Sequence, residues 1–203
     1  MKKGGILSGA LALLAITLVA GLLLSAVHEW TLDPIAKADR EAKEAAYRQV
    51  YSGAAYEEME DGIEQLSAFN EALSAGQYDD EEISYRRTRV EEALLVQNEA
   101  GQTTGYVLTA SSQRGYGGEI RLALGIAPDG TIQGMRVLSH SETAGFGARC
   151  EDPEYADTFV GDASPQDVDA ITGATYITHA IREAVGAALC FVRATVGEEV
   201  SAA

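Results

Sequence analysis

The segment Asp169-Ala170-Ile171-Thr172-Gly173-Ala174-Thr175 has residue types that suit a ligand phosphate. It precedes Thr178–Thr195, where apolar residues near helical spacing predict the last helix. The start of a helix offers free N–H groups and the positive end of the helix dipole, and both attract phosphate. Small residues let the backbone approach a bulky ligand, and Thr175 adds a hydroxyl. A threonine before a helix is more commonly an N-cap, so these residues alone leave both roles open.

Two other segments are also rich in glycine. His140–Gly147 has the sequence HSETAGFG, and Gly115–Gly118 has the sequence GYGG. Taken alone, the first is a turn after a strand in which Glu142 is a solvated acid. The second is an entry to a hairpin with one core aromatic residue, Tyr116.

The three segments together resemble the FMN-binding domain family. DAITGAT resembles its flavinylation motif, which is Asp, two residues, Ser or Thr, Gly, Ala and Thr. HSETAGFG resembles its H-x-E-T-P-G-L-G loop, with Ala144 in place of proline and Phe146 in place of leucine. Without the proline, the loop is less rigid in the unfolded chain. The family also has G-Y-G-G before a strand, and the resemblance covers nearly the whole chain.

This resemblance implies that Thr175 carries FMN through a phosphoester bond made by a dedicated flavin transferase. The rest of the recognition segment is then Asp169, Thr172, Gly173 and Ala174. The loop residues expected at the flavin are Glu142, Thr143, Gly145 and Gly147. Their polar side chains are expected to hydrogen-bond its polar edge, while the glycines allow close approach. The same resemblance puts Tyr116 near the flavin ring.

Length, a single N-terminal apolar segment and motif order are similar to the G-subunit family of Rnf complexes. The C-subunit family of sodium-translocating NADH:quinone reductases is the next most similar. The resemblance implies an electron-transfer subunit, not an enzyme by itself, in a complex that couples ferredoxin:NAD oxidoreduction to sodium or proton translocation. Its partners would be the neighbouring membrane subunits. A stand-alone FMN-domain electron carrier and a binding or sensory module without flavin are the alternatives.

The elements that must position these residues predict an α+β fold. Antiparallel strands are expected at Arg89–Gln97, Thr103–Ala110, Glu119–Ile126 and Thr131–Leu138, because short turn sequences join them. Helices are expected before and after this sheet. They are 34–50, with Asp33 as N-cap and Pro34 at its first position, then 153–159 and 178–195. Residues 54–80 are predicted to be irregular with a short helical turn.

The N-terminal segment predicts a membrane anchor. Residues 4–27 contain no charged side chain. A helix of this length can cross the hydrocarbon core of a bilayer. Its length and the lack of an A-x-A site favour a retained anchor over a cleaved signal peptide. Lys2 and Lys3 predict a cytoplasmic N-terminus and an extracytoplasmic domain, with Trp30 at the outer interface. Three regions are expected along the chain. Residues 1–30 form the cytoplasmic tip and the transmembrane helix, residues 31–82 form a helical linker region, and residues 83–203 form the FMN-binding domain.

Charge and cysteine content exclude other classes. The net charge of −16 over 203 residues repels phosphate backbones, so no nucleic-acid partner is expected. Cys150 and Cys190 form no CxxC pair, and the three histidines have no ligand spacing, so neither a zinc nor an iron–sulfur site is expected. Whether the two cysteines pair or stay free is left open by the sequence.

Overall fold

The computed structural model of this chain describes residues 3–141, 148–161 and 174–202. Contacts divide the chain into two compact units, Met1–Glu44 and Ala45–Ala203. The first consists of helix, and the second contains a sheet with helices. The assignment of residues 83–203 as the FMN-binding domain stays a prediction at this point.

One long helix, α1 (Lys3–Val50), replaces the two separate segments expected at the N-terminus. Its stretch Gly9–Thr31 has a mean hydropathy of 2.6 and is long and apolar enough to cross a membrane. The expectation that a new helix starts with Asp33 as N-cap is wrong, because α1 continues through Pro34. An internal proline costs about 3 kcal/mol. The Ala-, Leu-, Glu- and Lys-rich stretches on both sides have high helix propensity, which offsets that cost.

Five antiparallel strands form one sheet in sequential order. They are β1 (Ala55–Glu58), β2 (Thr88–Gln97), β3 (Thr103–Ser112), β4 (Ile120–Ile126) and β5 (Ile132–His140). Each strand pairs with the next one along the chain, as short turns between antiparallel strands allow. The α+β class and the four predicted strands are confirmed, with bounds that differ by one or two residues.

The expectation of irregular structure at residues 54–80 is wrong. This stretch contains β1 and a helix, α2 (Gly62–Ala75). The helix buries Phe69 and Leu73, which are spaced four residues apart and so lie on one helical face. With so few core residues in a polar stretch, the hydrophobic period of α2 is too short to recognise from sequence.

The helices after the sheet lie where the sequence predicted them, although their bounds differ. A 3-10 turn (Ala148–Glu151) leads to α3 (Pro153–Asp157), which follows an extended Asp152 and has proline at its start. The last helix, α4 (Thr175–Ala202), begins one turn before the predicted start at Thr178 and ends later than predicted.

The main core lies between α4 and one face of the sheet. The alternating residues of β4 are fully buried there: Ile120, Leu122, Leu124 and Ile126. They share one apolar cluster with Ile181, Val185 and Leu189 of α4. The predicted apolar stripe of α4 is therefore confirmed, and β4 turns its alternating apolar residues toward it.

The end of α1 covers the opposite face of the sheet. Tyr47 and Val50 are buried in a second cluster with residues of β2, β3 and β4. A Cβ added to Gly125 would lie 2.2 Å from the Val50 carbonyl oxygen, and one added to Gly134 would lie 2.6 Å from it. These two glycines are paired across β4 and β5, so together they let the helix end rest on the backbone of the sheet.

Candidate flavin site

Thr175 is the first residue of α4, and its side chain is exposed. The amide groups in the first turn of any α-helix lack intrahelical acceptors, so this end can accept an anion. One turn later, Thr178 is buried, and its backbone N–H and its hydroxyl both donate to the Ala174 carbonyl at 3.1 Å. Of the two threonines, Thr175 alone presents its hydroxyl to solvent.

Two tyrosines lie beside this helix start. Tyr176 follows Thr175 directly, and Tyr116 comes from the GYGG turn between β3 and β4. Their ring centroids are 6.1 Å apart, and the ring planes are tilted by 52°. The structure therefore brings the GYGG segment to the start of α4, although about sixty residues of chain separate them.

The same turn also approaches the start of the third motif. Gly118 has a φ of 134°, and a Cβ added to it would lie 3.8 Å from the Ser141 Cβ. Ser141 follows the last residue of β5, His140. The described ends of all three motifs therefore meet at one edge of the domain.

Most of the other predicted site residues lie outside the described part of the chain. They are Glu142, Thr143, Gly145, Gly147, Asp169, Thr172 and Gly173, and their roles stay predictions. Ala174 is described, is half-buried and packs against the main core. This packing fixes the residue immediately before Thr175.

A hydrogen bond joins the two flanks of the HSETAGFG segment. The ring Nε2 of His140 lies 3.0 Å from Oε1 of Glu151 in the 3-10 turn. The His140 side chain is largely buried, and that of Glu151 is more than half exposed. This contact holds the end of β5 against the 3-10 turn.

The sequence reasoning missed a buried acid on α4. Glu183 is 3% exposed; its Oε1 accepts a hydrogen bond from Arg114 at 2.5 Å, and its Oε2 accepts one from Ser112 at 3.2 Å. Burial raises the pKa of Glu183, while the charges and hydrogen bonds of Arg114 and Ser112 oppose the increase. The sequence does contain a sign of this buried acid, because Glu183 interrupts the apolar stripe of α4.

These acidic and basic groups line a small cavity. It has a volume of about 220 Å³, and its walls include Arg114, His179, Arg182 and Glu183. His179 and Glu183 follow Thr175 at intervals of four residues, so all three lie along one face of α4. The cavity is therefore on the side of the helix that carries the Thr175 hydroxyl.

The described residues fit a phosphate ester attached to a flat aromatic ring system. An exposed hydroxyl stands at a helix start, where the phosphate is favoured. Tyr176 belongs to the first turn of that helix, the ring of Tyr116 lies 6.1 Å from its ring, and both exposed rings can contact an apolar tricyclic ring. FMN contains both parts, so its requirements and these side chains agree.

Comparison with known proteins also indicates an FMN-binding domain. Residues 115–190 match the family described as FMN-binding domain. The chain is 39% identical over 107 residues to the G subunit of the ion-translocating oxidoreductase complex of Methanosarcina acetivorans, covering 48% of this chain and 56% of that protein. It is 35% identical over 95 residues to the G subunit of the proton-translocating ferredoxin:NAD(+) oxidoreductase complex of Clostridium ljungdahlii, covering 41% and 51%. The chain thus spans about half the length of these relatives.

Among solved structures, the crystal structure of Shewanella oneidensis NqrC is similar, with 22% sequence identity and a TM-score of 0.46. That similarity covers 55% of this chain and 61% of NqrC.

Proposed function

We propose that this chain is a membrane-anchored flavoprotein subunit that relays electrons, and the match of residues 115–190 to the family described as FMN-binding domain supports this proposal. Its FMN is held covalently by a phosphoester on Thr175. The electrons pass through an Rnf-type ferredoxin:NAD oxidoreductase that is coupled to sodium or proton translocation. The observation that carries this proposal is the contact of the GYGG turn both with Tyr176, which follows the exposed Thr175 at the start of α4, and with Ser141, at the described end of the HSETAGFG segment.

FMN, when bound, supplies the chemistry of accepting and donating one or two electrons. The chain's own residues attach, orient and shield it. The Thr175 oxygen would be the ester oxygen that links the chain to the flavin phosphorus, and the first turn of α4 would stabilise the remaining phosphate charge. The resemblance to the FMN-binding domain family assigns the attachment to a flavin transferase, which is therefore a proposed partner of this chain.

The recognition segment is proposed to serve that transferase. Asp169, Thr172, Gly173 and Ala174 complete the motif that ends at Thr175. Glu142, Thr143, Gly145 and Gly147 are proposed to border the flavin, the polar pair by hydrogen bonds and the glycines by leaving space. The His140–Glu151 contact supports this assignment, because it joins the two flanks of that loop, and Ser141 on the first flank lies beside Gly118 of the GYGG turn.

The names of the relatives and the apolar stretch of α1 support proposals about the partners and the location of this chain. Both are named as subunits of multi-subunit oxidoreductase complexes, and the stretch Gly9–Thr31 fits a membrane-spanning helix. We propose that this chain likewise contacts other membrane subunits, with its N-terminus in the cytoplasm and its flavin outside. Purification of the native membrane complex tests the partners: co-purification of the other Rnf-type subunits is expected. Recovery of the chain alone would instead favour a stand-alone carrier, and recovery with quinone-reductase subunits the C-subunit alternative.

The orientation is tested by labelling intact cells with a membrane-impermeant maleimide. In a chain with Cys150→Ala and Cys190→Ala, Ala100→Cys introduces a thiol in the exposed β2–β3 turn. It is expected to react in intact cells. Gly4→Cys, on the other side of the apolar stretch, is expected to react only after permeabilisation. The reverse pattern would place the domain in the cytoplasm.

The attachment is tested on a denaturing gel under ultraviolet light, after co-expression with a flavin transferase. The wild-type chain is expected to fluoresce at its own mass, and Thr175→Val to be dark. Thr178→Val is the matched control and is expected to remain fluorescent, because Thr178 is buried and its hydroxyl donates to the Ala174 carbonyl. A dark wild-type band would remove covalent flavin from the proposal, and a fluorescent Thr175→Val band would move the ester to another residue.

A further inference from the structure

The two aromatic side chains beside Thr175 are exposed to an unusual degree. Tyr116 is 77% and Tyr176 is 66% exposed, and in the described part of the unit Ala45–Ala203 no other aromatic side chain is classed as exposed. The remaining described tyrosines of that unit are buried or half-buried. Large aromatic surface left in water is unfavourable, so two such rings in contact mark a surface that something else covers.

The position of the pair identifies its occupant. Tyr176 is adjacent in sequence to the threonine that is proposed to hold FMN, and the ring of Tyr116 lies 6.1 Å from that of Tyr176. A group tethered by a short flexible link has an effective concentration of roughly millimolar at nearby surfaces. The flavin ring therefore competes for these tyrosines ahead of any partner that must diffuse to them.

The geometry points to a tyrosine platform, Tyr116 with Tyr176, that carries the isoalloxazine ring of the attached flavin and fixes its orientation. This inference rests on the proposed attachment at Thr175. Both tyrosines are positioning residues for electron transfer, because a relay requires its redox ring to be held at one place.

The separation of the rings also determines how the flavin lies. Sandwiching a third ring between two others requires about 7 Å between them, since aromatic carbons approach to about 3.5 Å on each side. At 6.1 Å and a tilt of 52°, the pair leaves too little room for this. The pair can therefore offer only its exposed faces to an isoalloxazine ring, and each tyrosine would contribute part of the contact.

Flavin fluorescence reports this contact directly. A phenol ring in contact with an excited isoalloxazine donates one electron to it, and the same electron then returns, so emission is lost without net chemistry. A phenyl ring can make the same contact but is a much poorer electron donor. Phenylalanine variants therefore separate quenching from packing, and leucine variants remove both.

The test uses the full-length chain in detergent, co-expressed with a flavin transferase, with one FMN per chain verified by mass. Tyr116→Phe and Tyr176→Phe are each expected to raise the FMN emission yield, and the double variant to raise it severalfold, while the flavin midpoint potential stays at the wild-type value. Tyr116→Leu with Tyr176→Leu is expected to raise the emission and also to shift the potential. Tyr56→Phe is the matched control, on the edge strand β1, and is expected to change neither.

The outcomes separate the two proposals. Wild-type emission in the double phenylalanine variant, at full FMN occupancy, would overturn the platform and leave the attachment intact. Absence of FMN from the wild-type chain itself would instead overturn the attachment. If the leucine variant takes up no flavin, the phenylalanine variant alone decides, because it keeps both rings.

Discussion

Glu183 carries a charge that the fold holds almost entirely out of water. Its carboxylate is 3% exposed and depends on Arg114 and Ser112 for hydrogen bonds. Burial is the largest influence and raises its pKa above the ordinary value of 4.5. Between pH 4.5 and the folded-state pKa, the native state binds more protons than the unfolded state does. The free energy of unfolding therefore falls as pH rises through that interval.

This effect is measured by comparing the wild-type chain with Glu183→Gln. The difference in unfolding free energy, wild type minus variant, is expected to decrease from pH 4.5 upward, because only the wild type has a carboxylate to deprotonate there. Chemical denaturation at several pH values measures it. Glu99→Gln, in the exposed β2–β3 turn, is the matched control for the loss of one carboxylate. A difference that grows with pH would show that Arg114 and Ser112 outweigh burial.

Residues of the site differ in how well sequence alone reveals them. Thr175 belongs to seven consecutive residues whose order is itself the motif, so it is recognisable without any structure. The partners Arg114 and Glu183 are sixty-nine positions apart and meet only when β3 packs against α4. The Tyr116–Tyr176 contact depends in the same way on folding. Such pairings have no signature in any local pattern, and they are the part of the site that required the fold.

At the scale of elements, the contact between α1 and the sheet leaves the least room for an added side chain. The Val50 carbonyl oxygen lies where a side chain on Gly125 would begin, 2.2 Å from an added Cβ. Gly125→Ala must therefore displace the helix end or bend β4. We expect it to destabilise the domain by about 1–3 kcal/mol or more, the cost of overpacking a filled core.

Urea denaturation of the purified chain measures this cost as a lower midpoint. Gly62→Ala is the comparison variant, because an added Cβ there meets only the Met59 Cβ at 3.2 Å. It is expected to stay within about 1 kcal/mol of wild type, since alanine also favours the helix that begins at that residue. Equal midpoints for the two variants would mean that the helix end is not held against β4.

Elements with a complete hydrophobic period were predictable, and those without one were not. Ile120, Leu122, Leu124 and Ile126 alternate without interruption, so β4 and its buried face followed from the sequence. The four-residue β1 is too short to show a hydrophobic alternation. Its backbone pairing with β2, and not its own sequence pattern, makes it a strand. The prediction that a new helix starts at Pro34 was wrong. It relied on the local preference of proline for a helix start, and the long stretches of helix-forming residues on both sides outweigh that preference.

At the scale of the whole molecule, the division at Glu44 indicates where the membrane segment can be separated from the domain. A chain starting at Ala45 keeps Tyr47 and Val50, which are 4% and 1% exposed in the second cluster. The removed part contains the apolar stretch Gly9–Thr31. We expect residues 45–203 to be recovered without detergent and to unfold in one cooperative transition.

A chain starting at Gly53 provides the sharper comparison. It lacks the same apolar stretch but also lacks Tyr47 and Val50, so Gly125 and Gly134 lose the helix end that covers them. Each buried apolar side chain removed costs about 1.5–3 kcal/mol. Tyr47 also donates a hydrogen bond to the Glu92 carboxylate at 2.5 Å, and the shorter chain loses that donor. It is therefore expected to unfold at clearly lower urea concentration than residues 45–203. Equal midpoints would show that the last turns of α1 belong to the anchor alone and that the sheet is stable without them.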